Sequence, residues 1–402
     1  MVKKTIRDVD FSGKRVLVRV DFNVPLTAGD GNFDEMSITD DTRIRAAIPT
    51  IQYILDQKPK AVILMTHLGR PDGRVVPQYS VKPIVPVLSQ LLGQDVMLVG
   101  DILGYLPKKM IGEAPDGAVI LLQNTRYYPG EEKNDPAMAG ELASYGDIFV
   151  NDAFGTAHRA HASNVGIAEH LEAVAGFLME KEVEFLATAM ENPASPFIAI
   201  LGGAKVSDKV KVIEALLGKV DRLLIGGGMA VTFLKAKDYA TGRSRIDEDA
   251  MTIAKGLVTE YGSKILLPVD VVASTRFAND GEQITVDAAD GVPETHLIMD
   301  IGPKTVEAFK EVLEGAKTVV WNGPVGVFEF DNFATGTMEI ARALGDVTAQ
   351  GGTTIIGGGD SAAAIAKAGL TDKMTHVSTG GGASLEMLEG RELPGVAVLA
   401  DK

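Results

Sequence analysis

Four short apolar or β-branched segments in the second half of the chain each lead into a cluster of glycines, at residues 202–203, 226–228, 357–359 and 380–382. A buried strand that breaks into glycines and then opens a helix leaves free backbone N–H groups, which favour an anion such as phosphate. In open α/β sheets the ligand lies beyond the carboxyl ends of the strands. The four clusters therefore predict one large phosphate-bearing ligand.

The third cluster is followed by Asp360 and Ser361 and then by an alanine-rich segment. A carboxylate is unfavourable beside phosphate unless a Mg²⁺ ion lies between them, so Asp360 is a candidate metal ligand. An ordinary strand–helix turn with Ser361 as the helix N-cap explains the same residues without a ligand. Both interpretations remain open at this point.

Composition excludes several classes of function. A chain of 402 residues predicts two domains, and a net charge of −15 disfavours nucleic acid or a membrane as the main partner. There is no cysteine, which excludes disulfides and thiolate chemistry. The N-terminus lacks the apolar core of a signal peptide, and apolar runs stay short of the ~18 residues of a membrane span. We expect a cytoplasmic protein.

Alternating strand and helix patterns along both halves of the chain predict parallel sheets covered on both faces. The fold class is therefore α/β, with two doubly wound, Rossmann-like domains joined by a hinge helix. Pro193 and Pro196 follow a helical pattern, which places the domains at 1–175 and 193–387 and the helix at 176–192. Within the first domain, residues 26–41 are predicted to be a long loop, and Ser80 is predicted to cap a helix that stops at Gly93.

The first half carries a different set of side chains at its predicted strand ends, namely Asn23, His67, Arg70, Arg126 and Arg159, with Arg43 near a helix start. An arginine fork binds two oxygens of a phosphate or carboxylate. Several arginines at equivalent strand ends of an acidic chain indicate a small anionic substrate. Surface arginines paired with local acids are the alternative.

Seven segments of the chain, in order, resemble phosphoglycerate kinases over essentially the whole length. They are residues 18–25 (VRVDFNVP), 66–71 (THLGRP), 151–159 (NDAFGTAHR), 201–209 (LGGAKVSDK), 321–329 (WNGPVGVFE), 357–361 (GGGDS) and 379–384 (TGGGAS). The resemblance implies transfer of phosphoryl from 1,3-bisphosphoglycerate to MgADP, giving 3-phosphoglycerate and MgATP, by a monomer that closes about a hinge and uses no general base. It also implies that the tail, residues 388–402, packs back on the first domain.

The resemblance further implies roles for individual residues. Phosphoglycerate would be held by Asp21, Asn23, Arg43, His67, Arg70, Arg126 and Arg159. ATP or ADP would be held by Gly203, Lys205, Lys209, Gly227, Asn322, Pro324, Glu329, Gly358, Gly359, Asp360 and Ser361, with Mg²⁺ on Asp360. Catalysis would fall to Arg43, Lys205, Gly381 and Gly382. The chain departs from the family pattern in a longer, acidic segment at 27–41 and in Ile298 near the expected adenine position.

Two other functions compete with this one. The pattern Gly357-x-Gly359-x-x-Ala362 formally fits the fingerprint of a nucleotide-dependent dehydrogenase, although Asp360 lies inside the turn and no acid follows about 20 residues on. A two-lobed protein that closes on an anion without chemistry is the second alternative. A P-loop kinase is excluded, because the chain contains no Gly-x₄-Gly-Lys-Ser/Thr motif.

Overall fold

A computed structural model describes residues 3–28 and 36–402. Contacts divide the chain into two compact units: the first runs to Glu184 and takes in Glu392–Lys402, and the second is Phe185–Arg391. The division falls inside one helix, Phe177–Glu191. The sequence-based limits at 175, 193 and 387 stay a prediction.

The first unit is built on six parallel strands. Its strands are β1 (Arg15–Arg19), β2 (Leu26–Ala28), β3 (Met36–Ile38), β4 (Ala61–Met65), β5 (Val96–Val99), β6 (Ala118–Leu122), β7 (Ile148–Asn151) and β8 (Ala173–Ala175). Its helices are α1 (Thr42–Asp56), α2 (Ile84–Leu92), α3 (Tyr105–Glu113), α4 (Pro136–Ala143), α5 (Phe177–Glu191), which continues into the second unit, and the late α13 (Pro394–Ala397). The sheet order is β5-β6-β4-β1-β7-β8. All five residues of β4 are buried, as expected for a central parallel strand covered on both faces.

Two predictions of local structure in this unit are wrong. Residues 26–28 and 36–38 are not loop but pair as an antiparallel hairpin, β2–β3; residues 29–35 lie outside the described part of the chain. Ser80 does not cap α2, because that helix begins at Ile84 with Pro83 at its N-cap, and Ser80 instead follows a short 3₁₀ turn. Proline is favoured at a helix start, where its missing N–H costs nothing.

The second unit contains a parallel sheet and a smaller antiparallel one. Its strands are β9 (Phe197–Leu201), β10 (Arg222–Ile225), β11 (Ile265–Leu266), β12 (Asp270–Ser274), β13 (Gln283–Asp287), β14 (Leu297–Ile301), β15 (Thr318–Asn322), β16 (Thr353–Gly357) and β17 (His376–Val377). Its helices are α6 (Val210–Leu217), α7 (Gly227–Ala236), α8 (Met251–Tyr261), α9 (Pro303–Leu313), α10 (Thr335–Ala349), α11 (Gly359–Lys367) and α12 (Gly382–Leu388).

The order of the parallel sheet, β11-β10-β9-β15-β16-β17, reverses direction between β9 and β15. Numbered along the chain, this is the 3-2-1-4-5-6 order of doubly wound sheets, whose ligands bind at such a reversal. Trp321, on β15, is fully buried against Ile198 and Ile200 of β9 and Ile356 of β16. This core fixes the two strand ends that flank the reversal.

The last residues of the chain add backbone pairing to the first unit. The amide of Lys4 donates to the carbonyl of Ala400 at 2.7 Å, and the amide of Ala400 donates to the carbonyl of Ala173 at 2.8 Å. The amide of Gly395 donates to the carbonyl of Ala157 at 2.8 Å. The C-terminal segment is thereby fastened beside β8, the edge strand of the six-stranded sheet.

Candidate active site

The ends of β1 and β4 in the first unit are joined by a polar network. Arg43, in the first turn of α1, donates from Nη1 to Asp21 Oδ2 at 2.7 Å. The other Asp21 oxygen accepts from the Asn23 amide at 3.1 Å, and Asn23 Oδ1 accepts from the Gly69 amide at 2.9 Å. Burial alone would raise the pKa of Asp21, but the charges of Arg43 and Arg19 act in the opposite direction, and that pKa lies below its ordinary value. Asp21 is therefore ionised and orients Arg43.

Arg126 extends this network to the end of β6. Its Nη1 donates to the Gly69 carbonyl at 2.9 Å, and its Nε lies 3.2 Å from Glu132 Oε1. Burial lowers the pKa of Arg126. The charge of Glu132 acts in the opposite direction, and the charge of Arg159 lowers that pKa further. Arg159 follows β7 and donates from Nε to His158 Nε2 at 3.1 Å. Arg70, next to Gly69, is exposed.

The seven residues predicted to hold phosphoglycerate thus all lie at the carboxyl ends of the strands of the first unit or at the start of α1. Sequence reasoning missed one further basic residue here, Arg19. Its side chain is 1% exposed and its Nη2 lies 3.2 Å from His67 Nδ1. The signal was present in the sequence, because a charged residue directly after the apolar run 16–18 needs a partner if it is buried.

In the second unit, the predicted nucleotide residues gather at the reversal between β9 and β15. Lys209 Nζ donates to the carbonyls of Gly202 at 2.8 Å and Asn322 at 3.1 Å, one from each strand end. Burial lowers the pKa of Lys209 to about 8, partly opposed by Asp360. Ser361 is buried and its hydroxyl accepts from the Gly323 amide at 2.6 Å, so it fixes the turn after β15 rather than capping α11.

A cavity of about 560 Å³ opens beside these strand ends. Among the predicted residues, its lining includes Gly203, Gly227, Pro324, Glu329 and Asp360. Ile298, expected near the adenine, also lines it, with Met299 and Val327. The cavity is of the size that holds a small organic ligand. A lining that combines apolar side chains and glycines with a few carboxyl groups, among them Glu329 and Asp360, suits a planar base with a ribose and a phosphate tail.

Asn322 supplies an unsatisfied donor at the same strand end. Its side chain is 3% exposed, and within the described ranges its Nδ2 has no hydrogen-bond partner. A buried amide without a partner is costly, at about 1–3 kcal/mol. An acceptor on a bound ligand would remove that cost.

The glycines at these strand ends do not all serve an anion. A Cβ on Gly202 would lie 2.0 Å from the Pro324 carbonyl oxygen, so this glycine is required where two strand-end turns approach. A Cβ on Gly359, at the start of α11, would meet nothing within 4 Å. The sequence placed Gly202 in a cluster predicted to serve a ligand, and the structure shows that this glycine is needed for packing of the backbone.

These two glycines make a matched pair for a stability test. We expect Gly202→Ala to lower the free energy of unfolding by about 1–3 kcal/mol or more, because overpacking typically costs that much. Gly359→Ala is expected to leave stability unchanged or slightly higher, because alanine favours a helix. Urea unfolding of both variants measures this. Equal stability of the two variants would contradict the packing role of Gly202.

The chain is similar to known proteins over nearly its whole length. The family model described as phosphoglycerate kinase matches residues 6–391. The chain is 55% identical over 406 residues to phosphoglycerate kinase of Chloroflexus aurantiacus, covering 100% of both chains. It is 54% identical to a cytosolic phosphoglycerate kinase of Nicotiana tabacum, covering 100% of this chain and 99% of that one. The chain belongs to the phosphoglycerate kinase family. The structure of phosphoglycerate kinase from Coxiella burnetii is similar with a TM-score of 0.87 at 38% identity, over 98% of each chain.

Membership of the phosphoglycerate kinase family confirms the resemblance and the α/β fold class predicted from the sequence. It also removes the support for a dehydrogenase, which rested on one glycine pattern. Within residues 3–28 and 36–402, no helix is long and apolar enough to span a bilayer. No group of three or more metal-binding side chains occurs in those ranges either.

Proposed function

We propose that this chain catalyses the reversible transfer of a phosphoryl group between 1,3-bisphosphoglycerate and MgADP, giving 3-phosphoglycerate and MgATP. The family match along residues 6–391 carries the proposal, because it spans both clusters of strand-end residues. The arginine-rich cluster of the first unit suits a small substrate with phosphate and carboxylate groups. The glycine-lined cavity of the second unit suits the nucleotide.

The chemistry needs little beyond positioning and neutralisation of charge. The acceptor in the ATP-consuming direction is a carboxylate that is already ionised, and the acceptor in the other direction is a phosphate oxygen of ADP. Neither requires a general base. We propose that Arg43, Lys205 and the amides at Gly381 and Gly382 neutralise the charge that develops on the phosphoryl group.

Magnesium is proposed to enter with the nucleotide. Mg²⁺ is held in such enzymes through one or two carboxylates together with substrate phosphates and water, so a single protein carboxylate is sufficient. Asp360 lies in the first turn of α11, is exposed, and lines the rim of the cavity. Asp360 would hold the ion, which would supply positive charge that neutralises the phosphates of the nucleotide.

A metal role for Asp360 makes a specific prediction. Asp360→Ala should weaken the binding of MgATP much more than the binding of metal-free ATP, because only the first complex uses the carboxylate to hold the ion. Isothermal calorimetry with and without Mg²⁺ measures both affinities. Asp372→Ala is the control, since Asp372 is an exposed carboxylate remote in sequence from the predicted nucleotide residues. Equal losses with and without Mg²⁺ would refute the role.

Direct transfer also predicts a change of shape. Reacting atoms must come within about 3–3.5 Å in a site that excludes water. We propose that closure about the ends of α5 and around residues 193–196 achieves this when both substrates are bound, since each supplies part of the charge that is neutralised. Small-angle scattering should record a smaller radius of gyration with both ligands than with either alone. An unchanged radius in the ternary complex would contradict closure.

The proposed activity has a direct test. Purified protein, ATP, Mg²⁺ and 3-phosphoglycerate are supplied with glyceraldehyde-3-phosphate dehydrogenase and NADH, so that formation of 1,3-bisphosphoglycerate is followed as loss of NADH absorbance. We expect turnover that requires all three components and is lost in Arg70→Met. Absence of turnover, with tight binding of phosphoglycerate intact, would favour a binding protein instead.

We further propose a cytoplasmic monomer with no nucleic-acid or membrane partner. The relative from Nicotiana tabacum is named as cytosolic, and the net charge of −15 disfavours anionic polymers and surfaces. Light scattering of the purified protein would report its mass against the 42.5 kDa of one chain.

A further inference from the structure

We infer that Arg19 is a positioning residue which fixes the tautomer of His67, so that His67 permanently presents an Nε2–H donor to the substrate. The inference rests on the proposed role of His67 in holding phosphoglycerate, and goes beyond it by naming the residue that sets how His67 acts. The contacts of the Arg19 guanidinium carry it.

Every contact of the Arg19 side chain is directed into the protein. Nε donates to Ser163 Oγ at 2.8 Å, Nη1 donates to the Val20 carbonyl, and Nη2 lies 3.2 Å from His67 Nδ1. The Arg19 side chain is 1% exposed, whereas the Arg43 side chain is about one-third exposed and Arg70 is exposed. Arg19 thus differs from the neighbouring arginines: it is buried, and each of its three nitrogens is directed to an acceptor within the protein.

A second layer holds Arg19 in place. The Ser163 hydroxyl that accepts from Arg19 donates to Glu131 Oε1 at 2.5 Å, and the Ser163 amide donates to Glu131 Oε2 at 3.0 Å. Glu131 is fully buried and its Oε1 lies 4.0 Å from Arg19 Nη2. A buried guanidinium is stable only with such a carboxylate and with its donors satisfied. The orientation of Arg19 is therefore fixed before any ligand arrives.

The chemistry of the two groups decides the tautomer. A guanidinium nitrogen can only donate, so the His67 nitrogen facing it must accept. Nδ1 then carries no proton, and a neutral imidazole must carry its single proton on Nε2. The reverse tautomer would set two N–H groups against each other at 3.2 Å.

The imidazole is also kept neutral. Burial lowers the pKa of His67 well below its ordinary value, and the charges of Arg19, Arg126 and Arg43 lower it further, against the opposing effect of Asp21. These are the charged groups that act on the ring from β1, α1 and the turn after β6. A neutral ring with its proton on Nε2 donates one hydrogen bond at any pH near neutrality and cannot act as a base at that atom.

The wild-type protein provides the primary test. Uniform ¹⁵N labelling of histidine, with His67→Gln used to assign the signal, distinguishes the two tautomers of His67 by NMR. We expect Nδ1 to be unprotonated and Nε2 protonated, with no titration between pH 6 and 9. Protonation of Nδ1, or titration of the ring within that range, overturns the inference.

Variants test whether Arg19 is the cause. Arg19→Met removes the donors at similar length, and we expect the other tautomer to appear and KM for 3-phosphoglycerate to rise about tenfold, the effect of one hydrogen bond of about 1.4 kcal/mol. KM for ATP should stay within about twofold. Arg15→Met is the control, because Arg15 lies on the same strand, β1, and its exposed side chain pairs with Asp147. An unchanged tautomer in folded Arg19→Met overturns the inference.

Two provisions keep the outcomes separate. If Arg19→Met does not fold, the second variant is Ser163→Ala, which removes the acceptor of Arg19 Nε and the hydroxyl donor to Glu131 Oε1. We expect it to shift the tautomer in the same direction. A folded Ser163→Ala protein with an unchanged tautomer and unchanged KM counts against the inference. Because the tautomer is read without substrate, failure of the kinase assay would reject the proposed function alone. If wild type has the expected tautomer and Arg19→Met changes it, but KM for 3-phosphoglycerate stays the same, the link to the substrate is rejected.

Discussion

Lys205→Ala is expected to lower kcat by about 10²–10³, the usual effect of removing one group that stabilises transition-state charge. Lys205 lies between β9 and the 3₁₀ turn Ser207–Lys209, and its side chain is exposed. In the proposed mechanism Lys205 contacts the phosphoryl group only during its transfer, so its loss should affect the transition state more than the bound nucleotide. The Nζ of Lys209, by contrast, already donates hydrogen bonds to two backbone carbonyls.

Steady-state kinetics separate the two possibilities for Lys205. Equal decreases in kcat and kcat/KM identify an interaction made in the transition state, whereas a rise in KM with kcat intact identifies ground-state binding. Lys211→Ala is the control, because Lys211 is exposed on α6 a few residues along the same segment. A normal kcat in Lys205→Ala would remove Lys205 from the proposed mechanism.

The parts of the fold that the sequence predicted well are those where one local signal dominates. β4, Ala61–Met65, is an example, because five apolar residues in a row are typical of a strand buried on both faces of a parallel sheet. The end of α2 was found because Gly93 adopts a left-handed conformation at φ 67°, which glycine tolerates best. Its start was misplaced by a few residues, because Ser80 and Pro83 both carry helix-start signals and the proline prevailed.

Other elements could not be predicted from the sequence, because their local signals are weak or because they depend on distant parts of the chain. β13 pairs with β12 in an antiparallel sheet, but most of its residues are half-exposed and it shows no clear alternation. α10 contains Gly336 and Gly345, which lower helix propensity; the first is nevertheless required, since a Cβ there would lie 2.4 Å from Asp300 Oδ1. Pairing and close approach of this kind depend on residues distant in the chain.

In the candidate site, too, features with a local signal could be predicted and features that depend on distant residues could not. Residues at strand ends could be predicted, since the topology of a parallel sheet brings its carboxyl ends together. The role of Arg19 could not be predicted, because its orientation depends on contacts with Ser163 and Glu131, which are more than a hundred residues away in the chain. The packing role of Gly202 could not be predicted, because the sequence cannot show that the Pro324 carbonyl occupies the space of a side chain.

A second large effect is expected at Asp152, a carboxylate that is fully buried after β7. Its Oδ1 accepts from the amides of Leu178 at 2.9 Å and Met179 at 3.2 Å, and so caps the start of α5 from another strand. Within the described residues its Oδ2 has no hydrogen-bond partner. Burial raises the pKa of Asp152 to about 7, although the bonds from Thr50 and the two amides act in the opposite direction.

This raised pKa makes stability depend on pH. Between about pH 4 and 7 the folded protein keeps a proton on Asp152 that the unfolded chain, with an ordinary value of 3.8, has released. The contribution of Asp152 to the free energy of unfolding therefore falls as pH rises through that window, by up to about 1.4 kcal/mol per pH unit, and levels off above it. Asparagine caps helices as well as aspartate does and carries no charge to desolvate.

We therefore expect the stability of Asp152→Asn relative to wild type to rise steadily from pH 4 to 7 and to stay constant above pH 7. Urea unfolding of both proteins at each pH measures the difference, in which the titration of all other groups cancels. Asp135→Asn is the matched control, because Asp135 caps α4 with its Oδ1 2.8 Å from the Met138 amide but is only half-buried. A stability difference for Asp152→Asn that is flat over this range, or that falls with pH, would show that the carboxyl is ionised at low pH in the folded protein and that burial does not control it.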